Sequence, residues 1–291
     1  MEFEIDSPET KPAKEASAQA PSQDPSSKIK KEARGLVSLA NWRRLRICLR
    51  VFLYLGLVLY CSGRFFMGKF DEKMEISRTV RLNPVQADIS EDPFFFAYGK
   101  EEYWIQPTAS YDISGLIVTH NDVSSIADAY HTSESVDFRD VCLVWGSNVS
   151  SGVYRRFKFW SEPWSCHMKT EDSAAAASFN AAGFSNNHLL SPDPRVRETI
   201  RSLRIGDQVR LQGMLINYSP KWSPESLRKT SLERDDTGNG ACEVLWVESA
   251  EILKRGGTGW HLARDLGFWL LVTALVGGVG MFVLAPVRLY L

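Results

Sequence analysis

Two long apolar runs stand apart from the rest of this 291-residue chain. Residues 266–287 carry no charge, and about 20 apolar residues are enough to cross a bilayer as a helix. The earlier uncharged run, residues 51–63, is short, but apolar residues beyond Arg50 and Arg64 extend it to residues 47–67. Both arginines can extend toward lipid headgroups, so we predict transmembrane helices at 47–67 and 266–287.

Small residues recur four positions apart in the second run. Thr273 and Gly277 form one such pair, and Ala274 and Gly278 form another. This spacing allows two membrane helices to approach closely, so it predicts packing on the first helix or on a second copy of the chain. The alternative is that glycine is simply frequent in membrane helices.

The flanking residues predict how these helices are oriented. Residues 1–35 are rich in Glu, Lys, Ser, Pro and Ala and predict a disordered tail, and residues 36–46 form a basic juxtamembrane segment. The positive-inside rule then places this end and residues 288–291 in the cytoplasm. A domain at 68–262 is thereby extracytoplasmic, in a protein of the plasma (inner) membrane. The charges beside the second run favour the opposite orientation more weakly.

Between the two runs, the alternation of apolar and polar residues has the period of β-structure. Val209, Leu211, Gly213 and Leu215 fall on one side of an extended chain, and polar residues occupy the other side. This predicts a half-buried strand, with Gly213 at a point where another segment approaches closely.

Further strands are predicted at residues 103–109, 111–119, 140–146 and 241–248, and a hairpin joins 154–160 to 164–169. Helices are predicted at 173–179, at 194–203 with Asp193 as its cap, and from Asn121 and Asp122 through Tyr130. The expected fold class is α+β, mainly β, flanked by the two transmembrane helices.

Three of these segments resemble the strands of a known fold. Residues 113–118, 206–215 and 243–253 look like the strand signature of OB-type Greek-key barrels, here with helical insertions. Together with residues 185–190 and 237–243, the arrangement is similar to uncharacterised bacterial membrane-anchored envelope proteins. That resemblance implies a place in the bacterial cell envelope and carries over no active site.

Cysteine chemistry has one candidate. Cys142, Cys166 and Cys242 lie in the domain, so at most one disulfide leaves a free thiol there. Cys242 follows a glycine turn and is a candidate nucleophile, with His188 or His167 as base.

Asn186 or Asn187 would orient that base. Two other interpretations stay open for Cys242. It is a core residue on the face of Val244 and Trp246, or it forms a disulfide with Cys166 or Cys142.

A candidate binding surface alternates basic and aromatic residues. On a strand, Tyr154, Arg156, Lys158 and Trp160 share an outer face. Such a face suits a protein partner, a lipid headgroup or a single-stranded nucleic acid. An extracytoplasmic domain makes nucleic acid an improbable partner.

No motif points to a cofactor or a metal. Residues 235–240 match a calcium loop only faintly, and the five histidines lack paired ligand spacing. The formal net charge of −1 attracts no nucleic acid. We therefore expect a non-enzymatic membrane-anchored protein that binds a protein or an envelope component, alone or as a homo-oligomer. A cysteine hydrolase using Cys242 and His188, and a single-strand nucleic-acid-binding module, are the alternatives.

Overall fold

The structure is a computed structural model, and it describes residues 39–122, 136–236 and 242–284. Two of its helices, α1 (Leu39–Phe66) and α5 (Thr258–Leu284), are long and apolar enough to cross a membrane. α1 includes much of the predicted basic segment, because helical hydrogen bonding continues through polar residues. α5 likewise begins before residue 266, directly after Gly256 and Gly257. The predicted tail and cytoplasmic end lie outside the described residues.

The chain divides into two compact units, and one of them contains residues up to Tyr54 and from Leu270 onward. In this unit, a Cβ added at Gly277 would meet the Leu49 side chain, and Ala274 is buried. Thr273 is exposed, and a Cβ added at Gly278 would have no atom within 4 Å. Only part of the predicted small-residue set therefore packs between the helices.

The other unit, Leu55–Trp269, contains the remaining parts of both helices and the β-rich body. A Cβ at Gly267 would overlap the backbone of Tyr60, and one at Gly63 would overlap the backbone of Arg264. In this unit, α1 and α5 therefore approach each other closely at two glycines that the spacing did not predict.

The body is built on a mixed sheet. Within the described residues its strands are β1 (Val85–Asp88), β2 (Phe94–Tyr98), β3 (Glu101–Asp122), β4 (Arg139–Val144), β7 (Phe184–Leu190), β8 (Gln208–Pro220) and β9 (Glu243–Lys254). β3, β4, β7, β9 and β8 pair in that order, and β8 also pairs with β3. Only the β7–β9 pairing among these is parallel. The predicted α+β, mainly β class is confirmed.

Smaller elements connect these strands. The predicted hairpin is present as β5 (Lys158–Glu162) and β6 (Ser165–Lys169). The helices are α2 (Gly146–Ser151), α3 (Ser173–Ser178) and α4 (Pro194–Arg201). Asp193 caps α4 as predicted, because its carboxylate accepts a hydrogen bond from the Arg195 N–H at 2.7 Å.

Two strands predicted at 103–109 and 111–119 are one long strand, β3. Pro107 does not end it, because a register shift between Pro107 and Ala109 accommodates the residue that lacks an N–H. Asn121 and Asp122, the predicted caps of a helix, are the last two residues of β3. Residues 123–130 of that predicted helix lie outside the described residues.

The interior of the sheet confirms the predicted face of β8. Val209, Leu211 and Leu215 are fully buried in one apolar cluster with Leu189 and Leu245. The polar face was predicted less well. Gln208 is also buried, because its side chain bonds to the Ser77 N–H at 2.6 Å and to the Glu75 carbonyl at 2.9 Å.

Candidate functional site

Several polar side chains meet on the face of β4 and β7 that points away from this interior. Asp140 and His188 are directly opposite each other across these strands, and so are Cys142 and Asn186. Val141 and Leu189, the neighbours along each strand, point into the apolar core. We call Asp140, His188, Asn186, Cys242, Arg228 and Trp164 the thiol–histidine cluster.

The centre of the cluster is a buried carboxylate–imidazole pair. The His188 Nδ1 lies 2.6 Å from the Asp140 Oδ1, and both side chains are almost completely inaccessible. A hydrogen bond to a carboxylate is strong in such surroundings and fixes the orientation of the ring. The second oxygen of Asp140, Oδ2, has no hydrogen-bond partner among the described residues.

The other ring nitrogen of His188, Nε2, faces two groups. Arg228 places its Nη2 at 2.7 Å from Nε2, and Asn186 places its Nδ2 at 3.4 Å. Cys242 reaches this part of the cluster through Asn186, whose Nδ2 lies 3.8 Å from the Cys242 sulfur. Arg228 is held in place by two backbone hydrogen bonds to Tyr218 and by its position over the Trp164 ring, 5.0 Å from the centroid.

The charge state of His188 is set by opposing neighbours. Burial lowers its pKa, whereas the charge and hydrogen bond of Asp140 and the hydrogen bond of Cys242 raise it, and Arg228 lowers it again. The result is a pKa raised from 6.5 to about 9. The Arg228 contact requires an unprotonated Nε2, because guanidinium groups only donate. The described contact therefore belongs to the neutral ring, and protonation of His188 below a pH of about 9 has to release Arg228.

Cys242 immediately precedes β9 and has a free, partly exposed thiol. Its sulfur lies 3.8 Å from both the Asn186 Nδ2 and the Trp164 carbonyl oxygen. Cys242 is thus only partly buried and its sulfur contacts polar atoms, whereas a core residue would be fully buried among apolar groups.

The predicted disulfide between Cys242 and Cys166 or Cys142 is wrong. Cys142 is bonded to Cys166, with their Cα atoms 6.0 Å apart. β6 brings Cys166 over the outer face of β4, and this leaves Cys242 without a disulfide partner.

Trp164 has an unusual backbone conformation for a bulky residue, with φ at +69°. In this conformation its carbonyl accepts a hydrogen bond from Asn186 Nδ2 at 3.1 Å and faces the Cys242 sulfur. Its ring lies 5.6 Å from the His188 ring. Such strain is retained where surrounding contacts hold it, and it concentrates at functional sites.

A second polar group lies next to the cluster and faces the sheet interior. Glu243 is ion-paired with Arg234, which also donates to the Tyr111 hydroxyl at 3.0 Å. Burial raises the pKa of Glu243 to about 7, although Arg234 lowers it. This carboxylate is therefore a second group that can exchange a proton near neutral pH.

The predicted basic and aromatic strand face does not exist as predicted. Gly152, at φ +76°, ends α2 and leads into a 3-10 helix at Val153–Arg156. Tyr154 is consequently fully buried, and Arg156 is ion-paired with Asp172 at 2.7 Å. Of the four predicted residues, Lys158 and Trp160 lie on β5, and both are exposed.

The remaining candidates fall outside the cluster. The His167 Nε2 contacts the Ser165 hydroxyl at 2.9 Å, and its ring stacks on Trp160. Asn187 points to the other side of β7 and donates to the Ser185 hydroxyl. Within the described ranges, no group of three or more His, Cys, Asp or Glu residues is placed to hold a metal. Most of the faint calcium loop lies outside those ranges.

Sequence reasoning found Cys242, His188 and Asn186 but missed Asp140, Arg228 and Trp164. One feature of the sequence could have identified Asp140. It is the charged first residue of the predicted strand at 140–146, which is apolar through Trp145. Arg228 lies in a long polar connection where nothing distinguishes it from neighbouring charges.

Comparison with protein-family models, with curated proteins and with solved structures gave no match to this chain.

Proposed function

We propose that this protein is a two-pass membrane protein whose extracytoplasmic β-rich body binds a protein or an envelope component through the thiol–histidine cluster. The two apolar helices flanking one body support the anchoring. The excess of Lys and Arg before the uncharged run at 51–63 supports cytoplasmic termini in the inner membrane. The Cys142–Cys166 disulfide supports an exported body, because disulfides persist mainly in oxidising compartments.

The strand order supports an OB-like barrel as the scaffold for this binding. In that five-stranded Greek-key fold, ligands bind on the second and third strands and on the connection between the fourth and fifth. Along the chain, the five strands that pair in this way are β3, β4, β7, β8 and β9, so the second and third are β4 and β7. They supply Asp140 and His188, and the β8–β9 connection supplies Arg228.

The observation that carries the proposal is a buried polar cluster with unsatisfied atoms. Among the described residues, neither the Asp140 Oδ2 nor the Asn186 Oδ1 has a hydrogen-bond partner. Burying such atoms destabilises a fold by about 1–3 kcal/mol each. Apolar residues could replace a purely structural cluster without loss of stability. We therefore infer that a ligand supplies the missing hydrogen bonds to these two atoms.

Site-specific photo-crosslinking in intact cells tests this function. A benzophenone amino acid in place of Lys229, which is exposed beside Arg228, is expected to capture a bound component. The same amino acid at Glu251, exposed near the far end of β9, is the control. A product at position 229 should disappear when His188→Gln is added. Equal products at both positions, or none at position 229, would contradict the proposal.

A second candidate function, a cysteine-dependent hydrolase, is favoured by the Asp140–His188–Cys242 arrangement. Once Arg228 withdraws, His188 takes the thiol proton and the Cys242 sulfur attacks an acyl carbon, while Asn186 Nδ2 donates to the resulting oxyanion. The tetrahedral intermediate collapses to a thioester as the protonated imidazole gives its proton to the leaving group. Water then hydrolyses the thioester and restores the thiol. In the described state Arg228 occupies Nε2, so binding remains the first proposal.

The alkylation rate of Cys242 distinguishes these two functions. A hydrolase predicts fast reaction with iodoacetamide at pH 7, because the imidazolium stabilises the thiolate, and Asp140→Asn should slow it about tenfold or more. Cys48→Ser and Cys61→Ser remove the background thiols of α1 without touching the cluster. A Cys242 that reacts no faster than an ordinary thiol rules out the hydrolase and leaves the binding function in place.

A further inference from the structure

α1 and α5 enclose a groove within the unit that contains residues up to Tyr54 and from Leu270 onward. Its volume is about 580 Å³. Aliphatic and aromatic side chains line most of it, among them Leu49, Leu53 and Phe282, and Gly278 leaves space open on the α5 side. Arg46 and Arg50 are the charged groups of this lining. The groove thus combines a long apolar surface with two cations on one helix.

Arg50 places a positive charge at the edge of the hydrocarbon layer. Residues 51–63 separate it from Arg64, and a helix of this length spans roughly 20 Å. The hydrocarbon layer is about 30 Å thick, so these two arginines cannot both reach the headgroups without extending along the helix. Among the described residues, the Arg50 guanidinium has no ion pair or hydrogen bond. A charge at this depth is stabilised by a partner of opposite sign.

We propose that this groove binds one anionic phospholipid. An acyl chain lies along Leu49, Leu53 and Phe282, and the phosphate contacts Arg50 and Arg46. A guanidinium donates two parallel hydrogen bonds to phosphate oxygens. These bonds orient the headgroup, in addition to the attraction between the opposite charges. This inference rests on the proposed membrane anchoring and is independent of what the thiol–histidine cluster does.

Charge also argues for a lipid over a second copy of the chain. A symmetric dimer through this groove would bring the same surface of both copies together. Arg50 would then lie near its own counterpart in a medium of low dielectric constant, where like charges repel strongly. An anionic lipid supplies the opposite sign and the apolar chain in one molecule.

Native mass spectrometry of the full-length protein in mild detergent tests the inference. With added phosphatidylglycerol, one lipid per chain should remain bound, and phosphatidylcholine should be retained on the order of tenfold less. Arg50→Gln should reduce phosphatidylglycerol retention by a similar factor, whereas Arg43→Gln, on the same helix but outside the lining, should not. Gly278→Leu should abolish retention by filling the groove.

Gly280→Leu is the matched control for that last change. A side chain at Gly280 also meets no atom within 4 Å, but Gly280 does not line the groove. Equal retention of both lipids, or a dimer that Gly278→Leu dissociates, would overturn the inference. Extraction of the protein from membranes by alkaline carbonate would instead refute the anchoring itself. An anchored protein without lipid selectivity leaves the anchoring intact and removes only the lipid site.

Discussion

His188 is a fully buried histidine whose pKa is set by its neighbours. Its ordinary pKa of 6.5 is raised to about 9, as Asp140 and Cys242 outweigh burial and Arg228. The folded state therefore holds the proton more tightly than the unfolded chain does. The resulting stabilisation is complete below about pH 6.5 and is lost as pH rises through about 9.

We accordingly expect the stability of the solubilised full chain to fall between pH 6.5 and 9. The fall is at most about 1.4 kcal/mol per pH unit for one proton. Asp140→Asn should flatten this dependence, because it removes the carboxylate that raises the pKa. Thermal denaturation midpoints measured across this pH window check the prediction.

Asp193→Asn is the control, since asparagine also caps helices and this site lies outside the cluster. Its pH dependence should match that of the unmodified chain. A slope that persists in Asp140→Asn would show that another group titrates.

At the scale of elements, the β8–β9 pairing depends on one glycine. Gly213 lies where the register shifts, and a Cβ there would overlap the Trp246 carbonyl. The sequence predicted a close approach at Gly213, because a lone glycine in an alternating strand often marks one.

Gly213→Ala should destabilise the body by about 3 kcal/mol, because a backbone carbonyl cannot move aside as a side chain can. A lowered denaturation midpoint with a correctly inserted chain is the expected result. Gly68→Ala should change stability by less than about 0.5 kcal/mol, since its Cβ would meet nothing within 4 Å. Equal midpoints for the two variants would mean that β9 is not paired with β8 in this register.

At the scale of the whole molecule, the cysteines report the compartment of the body. The protein has five, of which Cys142 and Cys166 are bonded and Cys48, Cys61 and Cys242 are free. If the body is exported, cells quenched with acid and denatured without reductant should yield three maleimide adducts per chain. Reduction should raise this number to five.

Cys166→Ser is the control and should give four adducts with or without reductant. Five adducts from the unreduced, unmodified chain would place the body in a reducing compartment. That result would reverse the proposed orientation while leaving the two apolar helices as anchors.

The sequence by itself determined the features that depend on neighbouring residues. The two apolar helices, the buried face of β8 and the Asp193 cap follow from local hydrophobicity, alternation and hydrogen bonding. These three effects act between residues that are close in sequence, so the sequence alone predicts their outcome. The burial of Tyr154 was misread because a turn after Gly152 replaced the expected strand.

Only the tertiary structure decided the thiol–histidine cluster. Asp140 comes from β4, His188 from β7, and Arg228 and Cys242 from the connection before β9, so three separate segments of the chain meet here. No local pattern encodes which polar residue of a long connection reaches a buried imidazole. The Cys142–Cys166 pairing was decided in the same way, because a disulfide forms where Cα atoms come close, and that distance is a property of the fold.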